Sequence, residues 1–176
     1  TLFSLEKAAS LAAAAASRGI AQRVLLKVVD REKDSVYPGQ EGGMDLADLR
    51  GAAHELSRLE GVKIAGLTSF PCFLAGQDGR IAATHNAETL RAAAKILKEE
   101  LGLEGLALDM PSANSADTMS LIAASGGNYA EPGHALTGTV PGEGHKEKPA
   151  IVYLTEVAHS GGGKSYAFGG GHYRRS

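Results

Sequence analysis

Tryptophan is absent from the 176 residues, and cysteine occurs once, at Cys72. A lone thiol forms no internal disulfide and no cysteine-based metal motif, which excludes a disulfide scaffold and suits a reducing compartment. As a small apolar side chain, Cys72 is expected in the core. Charge of one sign is also lacking: 18 Lys and Arg face 20 Asp and Glu, for a formal net charge of −2. The one short basic cluster is Arg174-Arg175, so there is no footprint for nucleic acid. Long hydrophobic runs are missing too. Ala12 to Ala16 is too short and too weakly apolar to cross a membrane, and no signal-peptide pattern is present. Gly-x-Ser-x-Gly, Walker and metal-ligand spacings do not occur, and His54 and His145 read as solvent-facing. These absences leave the expectation of a cytoplasmic protein without metal, nucleic-acid or membrane partners, acting on small molecules.

What is there is the composition of a globular domain, 43% hydrophobic and 22% charged. Strand and helix signals alternate. Leu2 to Leu5 leads to a helix over Glu6 to Arg18, stopped by Gly19. Val24 to Val29 is a second strand, and Leu46, Leu49, Ala53, Leu56 and Leu59 line a helix stopped by Gly61. Val62 to Leu67 leads through a long loop to a helix near Ala87 to Glu100, with Thr84, His85 and Asn86 as its N-cap region. Leu106 to Leu108 precedes a helix capped by Asn114 or Ser115 and closed at Gly126-Gly127. A fifth strand reaches Tyr129-Ala130. Helices between consecutive apolar strands imply parallel pairing with right-handed crossovers. The expected fold class is therefore α/β, a partial TIM-type (β/α)8 barrel over residues 1–140. After a polar, turn-rich linker at 141–149, the strands Ile151 to Val157 and Lys164 to Phe168 around Gly161-Gly162-Gly163 read as the start of a C-terminal β-domain over 150–176. Half a barrel would expose two parallel edges, and Thr1 is no initiator methionine, so the chain is expected to be an internal piece of a longer protein.

Barrel active sites lie on the loops after the strands, and the last two such loops often hold phosphate through backbone N–H groups. Two runs follow strands in successive βα units here. Pro111-Ser112-Ala113-Asn114-Ser115 brings a hydroxyl to a helix start, either as a plain cap or as a phosphate donor. Glu131-Pro132-Gly133-His134 is either a solvated Pro-Gly turn or a place where backbone approaches an anion. Together they favour a phosphorylated ligand. Ser69, Phe70 and Pro71 end the third strand at the same mouth, as a wall or a simple strand-to-loop transition. Gly169 to Arg175 combines flexible backbone with two cations and reads as a glycine bulge with solvated arginines.

The order of these motifs resembles the pyridoxal-phosphate enzymes of the alanine racemase type, fold-type III, with their N-terminal barrel and C-terminal β-domain. The resemblance is closest to the YhfX-type branch. It rests on Phe3 to Ala8, Val24 to Val28, Tyr37 to Glu41, Ala65 to Cys72, Glu131 to Thr139 and Gly169 to Ser176, and covers essentially the whole chain. It implies pyridoxal 5'-phosphate as cofactor, with Ser115 and the neighbouring Asn114, Gly133 and His134 at its phosphate. It implies Glu131 at the pyridine nitrogen, where alanine racemases place an arginine and related decarboxylases carry Glu-Pro-Gly. Ser69 stands where the family usually has a ring-contacting histidine. Lys27 matches a strand lysine of alanine racemases. The Schiff-base lysine of the family would lie upstream of Thr1 and the catalytic tyrosine beyond Ser176, so the chain alone is expected to be inactive, with no catalytic residue of its own. The resemblance implies chemistry at the α-carbon of an amino acid, racemisation first, with decarboxylase, aldolase or a non-catalytic carrier as alternatives. It also implies a homodimer. Without the resemblance, a phosphate-sugar barrel is the reading that remains.

Overall fold

A computed structural model describes residues 1–138, 147–152 and 154–169. Ser4 opens the first helix, α1 (Leu5–Ala16), by accepting the Lys7 N–H on its side-chain oxygen, and the helix buries Ala8, Ala12 and Ala15. Gly19 follows at φ +66°, a left-handed turn natural to glycine. The chain then enters β1 (Gln22–Val29), crosses a loop to the two-residue β2 (Met44–Asp45), and forms α2 (Leu49–Ser57) and β3 (Val62–Thr68). A hairpin, β4 (Phe73–Ala75) with β5 (Ile81–Ala83), precedes the long α3 (His85–Leu101) and β6 (Ala107–Asp109). A 3-10 turn (Ala116–Thr118) runs into α4 (Met119–Ala124), and α5 (Gly133–Thr137) comes next.

The main sheet is parallel, in the order β2-β1-β3-β6. Single parallel bridges extend it, Leu2 to Leu26 on one side and Asp109 to Tyr129 on the other. All five expected strands are therefore in place, the first and fifth reduced to one bridge each. Helix α2 packs on α1, on α3 and on β3, and α1 and α3 each pack on β1 and β3. Between them and the sheet lies a core that includes Leu26, Leu49, Leu56, Leu67, Leu90 and Leu97, each at most 1% exposed. Cys72 is buried in the same core, as expected. No helix among the described residues is long and apolar enough to cross a membrane.

Two local expectations are corrected and a third is borne out with a different bond. The segment expected as a loop before α3 holds the β4–β5 hairpin, because Asp78 and Gly79 form a tight turn closed by Gly76 N–H to Arg80 O. Thr84 does sit at the N-cap of α3, but its hydroxyl donates to Pro71 O at 2.6 Å and to Asn86 Oδ1 instead of capping the helix. The last hairpin pairs β7 (Val157–Gly161) with β8 (Lys164–Ala167), so its first strand begins where the expected one ended. The stacked rings of His159 and Tyr166 fix that register. Most of the 141–149 linker, with His145, and the tail from Gly170 onward lie outside the described residues.

Candidate functional site

In parallel strands, partners in register point to the same face of the sheet. Lys27 at the end of β1 pairs with Thr68 at the end of β3, and Thr68 pairs with Asp109 at the end of β6. Three polar side chains thus form one row at the carboxyl ends of three adjacent strands, where α/β barrels keep their chemistry. Each is less than a tenth exposed. Glu131 follows the Tyr129 bridge by two residues. A cavity of about 580 Å³ opens over this row, lined among others by Phe3, Lys27, Thr68, Phe70, Pro111 and Glu131.

The row is internally bonded. The Thr68 hydroxyl donates to Asp109 Oδ2 at 3.0 Å. Lys27 Nζ donates to the Gln40 carbonyl at 2.6 Å and stands 5.5 Å from the centre of the Phe3 ring. Burial holds the Lys27 ammonium below the usual lysine range, against the pull of Glu41. Asp109 is pushed up to about 6, first by burial, then by the Glu131 carboxylate. Cys72, beneath the row, is raised to about 12 by burial and by the nearby Asp109 and Asp34, and its thiol donates to Ser69 O. It is not a nucleophile.

The two anion-competent loops meet through Asn114, which is 1% exposed. Its amide donates to the carbonyls of Met110 and Ser112, and its oxygen accepts the Glu131 N–H at 2.7 Å. One side chain therefore ties the loop after β6 to the loop after Tyr129. Ser112 and Ala113, at φ +83° and +49°, adopt the left-handed conformation that non-glycine residues resist, and the Asn114 bonds hold them there. Ser115 is fully buried and forms a capping box with Thr118. Just beyond it, the Ala116 N–H donates to a Glu147 carboxylate oxygen at 2.5 Å. The second oxygen of Glu147 is buried and meets no donor among the described residues. A negative group of the chain's own thus sits at the start of this turn. Gly133 opens α5 with its N–H on the Glu131 carbonyl, and a Cβ built on it would meet nothing within 4 Å. His134 is the second residue of α5.

Of the residues singled out from sequence, Glu131, Asn114, Ser115 and Gly133 belong to this connected pair of loops. Ser69 does not line the cavity. Strand parity sends Thr68 and Phe70 to the cavity and turns Ser69 to the helical side, where its hydroxyl accepts from the buried Asn86 amide. Thr68 and Asp109 were not singled out. Their signals were the alternation around Ser69 and an acidic residue closing the apolar run Leu106 to Asp109. A second polar network lies on the helical side. There the buried Asp34 accepts from Thr89 Oγ1 at 2.7 Å and from the Asp30 N–H, and contacts His85 Nδ1 at 3.0 Å, pinning the loop after β1 to α3. His54, read as solvent-facing, is half-exposed and pairs with Glu100 at 3.1 Å. No cluster of metal-ligating side chains occurs among the described residues.

Residues 1–141 match the family model for the alanine racemase N-terminal domain. The uncharacterised protein YhfX of Escherichia coli is 42% identical over 182 residues, covering 99% of this chain and 46% of that protein. A solved structure of PipY from Synechococcus elongatus, without PLP, is 25% identical with a TM-score of 0.53, over 74% of this chain and 56% of that one. The PLP-bound structure of PipY matches at 24% identity and a TM-score of 0.49, over 73% and 55% of the two chains. The chain spans about half the length of these relatives.

Proposed function

This chain belongs to the alanine racemase N-terminal domain family, and from that premise we propose that it forms part of a pyridoxal 5'-phosphate site serving a reaction at the α-carbon of an amino acid, racemisation first. The observation that carries the reading is Glu131 in the lining of the cavity, its backbone N–H held by Asn114, the side chain that braces the loop leading to the Ala116 N–H, which already donates to a carboxylate. Three features support the cofactor there, while the Ser115 N–H is bonded to Thr118 and the Gly133 N–H to Glu131 within the chain. An anionic group suits the Ala116 N–H, open space lies at Gly133, and the apolar rings of Phe3 and Phe70 line the cavity. We assign Ser115, Gly133 and His134, with Asn114 as their brace, to the phosphate, and Glu131 to the pyridine nitrogen. Ser69 supports this wall from behind through Asn86.

Bound there, the cofactor supplies an electron-withdrawing ring that stabilises negative charge at the substrate α-carbon. Glu131 favours a proton on the ring nitrogen, which strengthens that withdrawal. Lys27 presents positive charge to the same cavity, and Phe3 and Phe70 narrow the water-accessible space around it. The β7–β8 hairpin is the proposed start of a second, β-rich domain after residue 150, and a homodimer is the proposed assembly.

The test uses the full-length protein purified with pyridoxal phosphate. A visible cofactor band, fixed by borohydride to a lysine upstream of this segment, with interconversion of amino-acid enantiomers, is the expected result. A band without turnover on any amino acid leaves a cofactor carrier. No band removes the cofactor and returns the site to a sugar-phosphate ligand. Glu131→Gln is expected to lower turnover at least tenfold with little change in folding, and unchanged turnover would overturn the role of Glu131.

A further inference from the structure

The loop over residues 30–43 forms the cavity wall beside β1, and its shape is fixed from outside the cavity. It leaves β1 and returns to β2, which pairs with β1 through Val28–Met44 and Val29–Asp45. A compact loop whose ends lie together keeps its form through its own side-chain anchors. Arg31 spans the ends, donating to the Glu41 and Gly43 carbonyls and pairing with Asp45. Asp34 reaches Thr89 and His85 on α3. Asn86, fully buried near the start of α3, makes a reciprocal amide pair with Ser35: its oxygen accepts the Ser35 N–H at 3.0 Å, and its nitrogen donates to the Ser35 carbonyl at 3.1 Å. The same amide donates to Ser69 Oγ and accepts from the Thr84 hydroxyl. With both donors and both acceptor sites used, the Asn86 side chain has one placement.

That placement reaches the cavity. From Ser35 the loop passes Tyr37, whose ring stands 5.6 Å from that of Phe70, to Gln40, whose carbonyl accepts one Lys27 N–H at 2.6 Å. An ammonium carries three N–H groups, so Lys27 has donors to spare, whereas the Thr68 hydroxyl beside it gives its one proton to Asp109. Lys27 is also the cationic side chain in the cavity lining among the described residues. We propose that Asn86 is a positioning residue for Lys27: by docking the loop at Ser35, it sets the Gln40 carbonyl on one ammonium N–H and leaves the others to receive the carboxylate of the amino-acid substrate. This rests on reading the cavity as a site of amino-acid chemistry, and it names the group that holds the charged end of the substrate. Glu131, the opposite charge in the lining, follows the Tyr129 bridge, with β3 and β6 between it and Lys27. A carboxylate is thus drawn to the Lys27 end of the cavity and repelled from the other.

The experiment follows Lys27 by NMR in the full-length apoprotein, with carbon-13 at the lysine ε carbons and the Lys27 signal identified by its loss in Lys27→Met. Acetate, exchanged for chloride at constant ionic strength, is the probe. The Lys27 signal is expected to move saturably with acetate, and Asn86→Ala to weaken that response at least fivefold. Leu97→Ala, a core truncation about three turns further along α3, is expected to leave it within twofold of the parent. Asp34→Asn keeps the volume of a second anchor but removes an acceptor. It is expected to weaken the response as well, and it decides should Asn86→Ala fail to fold. In turnover, Asn86→Ala is expected to raise KM for the amino acid at least tenfold with kcat within threefold. A Lys27 signal indifferent to acetate, an undiminished response in Asn86→Ala, or an equal loss in Leu97→Ala overturns the proposal. So does a fall in kcat with KM unmoved. Should the protein bind no pyridoxal phosphate, the cofactor reading fails while the acetate titration still decides on Lys27 and Asn86.

Discussion

Asn114 shows how much one short side chain can carry. It satisfies two carbonyls and one N–H across the two loops that follow β6 and its Tyr129 bridge. Asn114→Ala leaves one buried and two part-buried groups without that partner and is expected to cost about 2–4 kcal/mol in denaturant unfolding. A loss below 1 kcal/mol would show that the loops hold each other by other means. Asp109 gives the opposite sign. Its folded-state midpoint is raised from the usual range to about 6, so its contribution to stability is complete below the unfolded midpoint near 3.9 and is lost as pH rises through about 6. Asp109→Asn does not carry that penalty. Parallel unfolding curves should show the variant gaining on the parent from pH 4 to pH 8, with a ceiling of about 3 kcal/mol. A difference that stays flat with pH would mean that the acid is not held protonated by the fold.

At the scale of elements, two glycines separate contact from conformation. A Cβ on Gly66 in β3 would stand 2.1 Å from the Ala107 carbonyl oxygen of β6, a backbone atom with nowhere to move. Gly66→Ala is expected to cost more than about 3 kcal/mol by forcing the two strands apart. Gly51, in α2, would place its Cβ in open space. Gly51→Ala is expected to stabilise by about 0.5–1 kcal/mol, since alanine loses less backbone freedom in a helix. Thermal unfolding of both variants checks the pair. The helices and central strands were legible because their faces repeat with the right period: Leu90, Ala93 and Leu97 on α3, and Val24, Leu26 and Val28 on β1, all buried. The β4–β5 hairpin was not read, although Asp78-Gly79 between two apolar triplets is a hairpin signal, because three-residue strands are too short for periodicity to show.

At the scale of the whole molecule, the edges of the sheet among the described residues are short, the two-residue β2 and the Leu2 bridge on one side and the Tyr129 bridge on the other. Ile151, Val152, Leu154, Val157, Tyr166 and Phe168 all stand exposed on or near the last hairpin. Unpaired parallel edges and exposed apolar side chains favour association. Sedimentation of this 176-residue chain is expected to show self-association that rises with concentration, and a concentration-independent monomer would contradict that.

Composition, periodicity and turn residues determined the strand-helix alternation, the parallel pairing and the two loops after the fourth and fifth strands, because these depend on neighbours within a few residues. Only the tertiary structure decided which side chains share the cavity. The register that sets Lys27, Thr68 and Asp109 in one row depends on pairing across some forty residues at a time. A one-residue change of parity exchanges Thr68 for Ser69, and nothing local to either residue distinguishes the wall of the site from its backing.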